Sequence, residues 1–482
     1  MKKIFATVAL FSSLVLFSSC SNASASLKGY NRETKQAILD LVKQYGNTEN
    51  AYVVSDFDNT TSIFDIAYQC AIYQLETMSF AIPEEDLESI LKTSLEESVD
   101  LNNYVDDVVS SYSRLVDTYG PFSAAGLSSG LIETVHEDPY YQEFSAKMLG
   151  LYSFVEDNNP DVVGYEWIMY WYTNMTEDEV YAMFKNSCEK YQYVDTQKVT
   201  WTSPSTIQSK LGVVSQTTVI GVSVTDSVKA MLKEYADNGI DTWICSASHI
   251  DGVRAAVDAY GLSDRITGVI GMTQKLEDGK FVPAYDYETG YPYINKGNGV
   301  WEKTNNPIKA LPGREGKVTA IKNALYPRYN NKQPLSGFMD ASGDFNFCTE
   351  FKDMKMVICY NRANRKITEG AGLVAIAAMY QKDQGLNLKA ANQAGDTLYL
   401  LQGRDENGKR SLRESNCTIR FGETEEKLFA NEDNSKLFEY LKDQNMTLKA
   451  FFDTFAIKTS ATDSLIGVAH GHLDSYSGYH SV

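Results

Sequence analysis

Apolar and polar positions follow two rhythms along this chain. Asn31 to Tyr45 has apolar side chains at helical spacing, and Ala51 to Ser55 is a short apolar run that predicts a strand. From Phe64 to Ser215 the pattern is mostly helical and rich in Tyr, Trp and acidic residues, with no Gly-rich turn rhythm. Beyond it, strands and helices alternate. Thr218 to Val224, Thr242 to Cys245, Ile266 to Met272, Leu335 to Met339 and Met356 to Tyr360 read as strands. Thr225 to Asn238, Ile250 to Tyr260 and Lys317 to Leu325 read as helices, the first two closed by Gly239 and Gly261. Leu276 to Pro283 predicts a hairpin turning at Asp278-Gly279. Such alternation predicts an α/β fold whose mostly parallel sheet is joined by helical crossovers. In the last hundred residues, Thr397 to Leu412 predicts a hairpin turning at Asn407-Gly408. Cys417 to Phe421 predicts a strand and Lys436 to Phe455 two short helices. This part is either an extension of the sheet or a small appendage.

The first residues follow another logic. Lys2 and Lys3 precede an apolar run, Ile4 to Phe17, of signal-peptide length and too short to span a bilayer. Leu16-Phe17-Ser18-Ser19-Cys20 resembles a bacterial lipobox, which implies cleavage before Cys20 and acylation of its sulfur. A plain secretory signal with a nearby Cys is the alternative. The expected organisation is a signal peptide over 1–19 and a tether over 20–30. A core follows over 31–63 and 216–380, interrupted by a helical cap over 64–215, and 381–482 forms a C-terminal extension. The expected location is the cell envelope, anchored to the lipid bilayer through Cys20.

Charge excludes one class of function. The 482 residues hold 44 Lys and Arg against 63 Asp and Glu, a formal charge of −19. Neutralising a phosphate backbone needs a basic surface, so a general nucleic-acid binder is disfavoured, while a local site for one small anion is not. The seven Cys contain no CxxC pair, so neither a zinc site nor a redox motif is indicated. Disulfides are permitted in an oxidising compartment.

The chemistry gathers where strands end. Asp56-Phe57-Asp58-Asn59-Thr60 directly follows the first strand. Two carboxylates so close repel each other where a parallel sheet is normally buried. They suit a ligand site, because open parallel sheets bind at the carboxyl ends of their strands. One carboxylate can attack phosphorus, the other can protonate the leaving oxygen, and a hard cation would offset the negative charge. An acid pair capping a helix is the plainer alternative. These residues resemble the first motif, Asp-x-Asp-x-Thr/Val, of the haloacid dehalogenase superfamily. The resemblance implies a three-layer Rossmann-like core, Asp56 as nucleophile, Asp58 as general acid and then base, and Mg²⁺ as cofactor. The second Asp favours phosphomonoester hydrolysis or phosphomutase chemistry.

Three later stretches fit the remaining motifs in order. Ser246 ends the strand Thr242 to Cys245 as a hydroxyl donor to phosphate. Lys317 opens a helix as the neutralising cation, with Lys309 and Lys322 as rivals. In Phe338-Met339-Asp340-Ala341-Ser342-Gly343-Asp344, Asp344 is taken as a metal ligand beside Asp56 and Asp58. A typical member has a second Asp four residues further on. Counted from Asp344 that position is Cys348, leaving Asn346 or Asp340 to contribute. This departure motivates an alternative, an inactive ligand-binding protein of the same fold. A glycoside hydrolase using Asp58 and a distant acid is a third reading, for which no partner acid stands out.

The inserted segment corresponds to the family's cap, which excludes water and selects the substrate. The order of parts resembles the phosphoserine and phosphorylcholine phosphatase branch, so a small phosphorylated metabolite is the expected partner. Trp167, Tyr170 and Trp171 share one helical face beside Glu166, which reads as an aromatic box for a quaternary ammonium or as an aromatic core stripe. Thr60, His249, Trp167 and Trp171 join Ser246 and Lys317 as candidate substrate-binding residues. Tyr285, Tyr287, Tyr291 and Tyr293 either rim the pocket or belong to an ordinary loop, and His470, His472 and His480 read as a solvated tail.

Overall fold

The structure, a computed structural model, describes residues 27–159, 161–367 and 369–455. Cys20, the signal segment and the three C-terminal histidines lie outside the described residues.

The chain begins with helix Arg32–Tyr45, capped by the Asn31 side chain. β1 (Tyr52–Ser55) follows and is buried throughout. Seven cap helices come next, from Ile66–Thr77 to Glu177–Tyr191, followed by a hairpin of β2 (Gln197–Thr202) and β3 (Ser215–Ile220). The core resumes with β4 (Asp241–His249) and β5 (Gly268–Met272). The short antiparallel strands β6 (Gln274–Glu277), β7 (Lys280–Tyr285), β8 (Tyr293–Asn295) and β9 (Trp301–Lys303) come next. The last core strands are β10 (Ser336–Met339), β11 (Met356–Tyr360) and β12 (Leu398–Gln402).

Eight strands form one sheet in the order β12-β11-β10-β1-β4-β5-β8-β9. The run from β12 to β5 is parallel, and β8 and β9 extend it antiparallel. Adjacent residues of β1 serve opposite cores. Val53 joins an apolar cluster that includes helices Arg32–Tyr45, Asp226–Asp237 and Ile250–Ala259. Tyr52 and Val54 join the cluster of helices Glu315–Leu325 and Gly370–Asp383. Helices on both faces make three layers, as the alternating pattern predicts.

β1 lies between β4 and β10, so its crossovers leave to opposite sides. That reversal opens a crevice at the carboxyl end of β1, where ligands bind in open α/β sheets. The cap is attached there. The segments entering and leaving it meet at the isolated antiparallel Ile63–Ser223 bridge.

Two strand readings are corrected. Thr218 to Val224 was expected as a core strand, yet its first residues belong to β3 and pair with β2 inside the cap, because polar alternation suits an exposed hairpin. Thr397 to Leu412 was expected as one hairpin. Instead β12, with every residue buried, becomes the parallel edge of the main sheet. Only Arg404–Asp405 (β13) and Ser411–Leu412 (β14) pair around the Asn407-Gly408 turn. With β15 (Thr418–Ile419) and β16 (Glu426–Lys427) they form a small second sheet. The Asp278-Gly279 turn is as expected, with positive φ at both residues.

The small sheet reaches back to the base of the cap. Arg404, 1% exposed, donates from Nη1 to the Asn59 carbonyl at 2.6 Å and pairs with Glu406. Arg410 donates to the Val194 carbonyl and the Ser223 hydroxyl. Gly221 leaves room for it, because a Cβ there would stand 2.6 Å from an Arg410 nitrogen. The six described cysteines are all unpaired. No helix among the described residues is long and apolar enough to cross a membrane.

Candidate active site

The crevice holds a cavity of about 550 Å³, floored by the strand ends and roofed by the cap. Asp56, Asp58, Ser246, His249, Lys317 and Asp344 all line it. After Asp56 the backbone makes a tight turn with Asn59 in the left-handed region, φ 59°. Asp58 keeps extended dihedrals before that turn, and at two residues from Asp56 it lies on the same side of the chain, so both line the cavity.

Asp56, Asp340 and Asp344 each offer a carboxylate oxygen within 4.8 Å of the others. Lys317 bridges two of them, 2.6 Å from Asp56 Oδ1 and 2.5 Å from Asp344 Oδ1. Burial, with Asp344 adding to it, raises the Asp56 carboxyl to about 8 against the opposing pull of Lys317. Burial also works against the Lys317 charge, but Asp344 and Asp56 outweigh it and hold the ammonium protonated. These three buried carboxylates could hold a metal ion, and oxygen donors suit a hard cation.

Asp58 has a separate environment. Its Oδ1 accepts from the Ile66 amide at 2.8 Å, at the start of helix Ile66–Thr77, and its Oδ2 from the Ser248 hydroxyl at 2.6 Å. Ser246 is more distant, at 3.5 Å. Burial, then Asp65 and Asp56, push the Asp58 carboxyl well above its ordinary range.

The carboxylate triad differs from the expected metal-ligand set in two ways. Asp58 is not in the carboxylate triad, and Asp340 is. β10 ends at Met339, so Asp340 is the first residue past the strand and Asp344 is the acid four residues later. Both acids, Asp340 and Asp344, belong to the carboxylate triad, and Cys348 lies outside it. Cys348 is buried in the apolar cluster behind the sheet, and Asn346 donates to Glu350 at 2.9 Å.

Four further expectations change. Thr60 does not line the cavity. Its hydroxyl donates to Asp340 Oδ1 at 3.0 Å and holds that carboxylate in place. Trp167 and Trp171 are buried in the cap core, where the Trp167 indole donates to the Leu91 carbonyl at 2.9 Å. Glu166 is buried and absent from the lining. The cap wall is made by Tyr68, Tyr152, Tyr165 and Tyr172, with Glu156 and Asp65. Tyr68 donates to Glu156, whose carboxyl is raised by burial to about 7. His249 lines the cavity but caps helix Ile250–Ala259 by accepting the Asp251 amide at 3.3 Å. Burial and Arg254 lower it to about 3, so it stays neutral. The rivals Lys309 and Lys322 are exposed, and none of the four tyrosines from 285 to 293 lines the cavity.

Sequence reading missed Ser248, Glu156, Arg362 and Arg365. The two arginines follow β11 directly, so the strand-end rule that selected Asp56 points to them as well.

Fold and site together define an α/β protein with an acidic, lysine-bridged pocket at the switch point of its sheet. Among solved structures, a functionally unknown protein from Anaerococcus prevotii shares this fold, with a TM-score of 0.63 and 23% identity over 81% of this chain and 97% of its own. A protein of unknown function from Bordetella pertussis aligns at TM-score 0.29 and 12% identity, covering 65% of this chain and 91% of its own. Cytosolic 5'-nucleotidase IIIB bound to cytidine aligns at 0.27 and 13%, covering 68% and 78%. At those scores neither bears on function. No protein-family model matches the chain, and no curated protein does.

Proposed function

We propose that the protein is a Mg²⁺-dependent phosphomonoester hydrolase of the haloacid dehalogenase type. The observation that supports this reading is the union of a buried three-carboxylate triad, a lysine bridging two of its members, and an Asp58 held separately by the Ile66 amide and the Ser248 hydroxyl. Asp56, Asp340 and Asp344 are the residues that would hold the cation. When bound, the cation supplies positive charge that ionises Asp56 and stabilises charge on the phosphoryl oxygens.

In the first step an Asp56 oxygen forms a bond to phosphorus as the ester P–O bond breaks. The proton on Asp58 passes to the leaving oxygen. In the second step Asp58 takes a proton from water, the water oxygen bonds to phosphorus, and the acyl phosphate breaks to release inorganic phosphate and Asp56. Lys317 keeps Asp56 and Asp344 apart throughout and offsets their charge. With Asp340 present, the inactive-binder alternative loses the argument drawn from Cys348.

The cavity suits a small metabolite. Four tyrosines and two acids on the cap wall favour a cationic head group, as in phosphorylcholine or an amino-acid phosphate such as phosphoserine. The net acidity of the chain gives no long-range attraction to such esters, so capture relies on local cations. We also retain the proposal of an envelope lipoprotein acylated at Cys20, which mass spectrometry of the N-terminal peptide tests.

The deciding experiment is turnover of p-nitrophenyl phosphate by the purified protein with and without Mg²⁺. Asp56→Asn should lower it by at least about a thousandfold with an unchanged thermal melt. Turnover that survives the substitution defeats the nucleophile assignment. Equal rates on a panel containing phosphorylcholine, phosphoserine and a neutral ester would remove the head-group argument.

A further inference from the structure

Arg362 and Arg365 lie in the loop after β11 and line the cavity, yet no step above uses them. Both direct one guanidinium nitrogen to the same atom, Asp340 Oδ2, at 3.2 and 3.4 Å. These are long contacts for charged partners, which normally approach within about 2.9 Å. Arg365 also stands 3.8 Å from Glu369. The buried Nε of each arginine has no hydrogen-bond partner. A guanidinium has five N–H donors in a fixed fork, so most of this donor capacity is unspent.

Lys317 is already engaged by Asp56 and Asp344. Arg362 opposes Asp340, and Arg365 is shared between Asp340 and the more distant Glu369. The pair lies between the metal triad and the cap, close enough to Asp65 and Tyr165 to interact with them electrostatically. Such a place suits an anion that arrives with the substrate.

We propose that Arg362 and Arg365 form a substrate-binding fork for an oxyanion of the ester. The identity of that ester rests on the phosphomonoesterase reading. The oxyanion is supplied either by the phosphoryl group itself or by a carboxylate further along the same molecule. In both cases the unspent N–H groups turn to the incoming oxygens while Asp340 remains available to the cation.

Titration calorimetry with inorganic phosphate, in saturating Mg²⁺, reads the first source. The ratio of kcat/KM for O-phosphoserine over phosphoethanolamine, which differ by one carboxylate, reads the second. For Arg365→Gln, either the phosphate Kd rises about tenfold or that ratio falls about tenfold, the loss expected for one charged hydrogen-bonding partner. Arg362→Gln behaves likewise, and the Lys variants recover part of the loss because they restore charge without the fork. Thermal melts confirm folding, and if Arg362→Gln does not fold, Arg365→Gln and Arg365→Lys decide. Variants that match wild type in both measurements overturn the proposal. So does a change confined to Mg²⁺ affinity, which would show that the pair serves Asp340 alone. A wild type that binds phosphate through the pair but hydrolyses no phosphomonoester defeats the enzyme reading and supports this one.

Discussion

The two walls of the cavity obey different rules. The core wall is built from strand ends: Asp56 after β1, Ser246 and Ser248 within the irregular end of β4, Asp340 after β10 and Arg362 after β11. The backbone there is tied into a ladder, so position along the strand decides which residue reaches the crevice. The cap wall is built from faces of packed helices. There Tyr165, Ile168, Met169 and Tyr172 turn to the cavity while Trp167 and Trp171 turn to the cap core. Charge belongs mainly to the first wall and aromatic surface to the second. On the proposed function, chemistry would sit on rigid scaffolding and selection on a layer that can vary without disturbing it.

This contrast is sharpest at the metal site. Asp340→Asn should lower Mg²⁺-dependent turnover about a thousandfold and weaken Mg²⁺ binding in calorimetry. Cys348→Ala should leave the Mg²⁺ Kd within about twofold and cost about 1–2 kcal/mol of stability, since Cys348 packs in the core. If Cys348→Ala weakened Mg²⁺ as Asp340→Asn does, the acids would have to be counted from Asp344 after all.

On the cap side the expected loss is in stability. Trp167→Ala should lower unfolding free energy by about 3–5 kcal/mol and leave KM nearly unchanged for the molecules that remain folded. Denaturant melts and steady-state kinetics on the same preparation measure both. A raised KM with an unchanged melt would return Trp167 to the pocket wall.

A smaller effect tests the carboxyl of the cap wall. Glu156 ionises at about 7 in the fold because burial disfavours its charged form. Its stabilising contribution is complete below the ordinary carboxylate range and is lost as pH rises through 7. Gln cannot ionise, so Glu156→Gln should exceed wild type by about 1–2 kcal/mol at pH 8, with the gap closing near pH 4. Thermal melts across that range read it. A constant gap would place Glu156 in contact with solvent.

The same contrast explains what could be read without coordinates. Strand-end residues were legible because an apolar run followed by Asp56, Ser246 or Asp340 leaves little choice of direction. The reading slipped at Asp340 because Gly343-Asp344 imitates the expected motif, although the apolar run had already ended at Met339. In the cap, spacing identified a face containing Trp167, Tyr170 and Trp171 but could not tell which face is wet. Tyr165, Ile168, Met169 and Tyr172 are equally periodic on the other side. That choice depends on helix packing, which is set by residues far away in sequence. The small C-terminal sheet was illegible for another reason. Its role depends on two buried arginines whose partners, Asn59 and Ser223, lie far upstream.

Those long reaches carry a cost during synthesis. The peptide that presents Asp58 gains its Arg404 anchor only after most of the polypeptide has left the ribosome, and β1 keeps an open edge until β10 arrives. A nascent chain of this protein is therefore both unfinished and adhesive for much of its translation, which is the condition that holding chaperones relieve. Premature termination before Arg404 would yield a product bearing every acid of the pocket but lacking the guanidinium that ties down the Asn59 carbonyl.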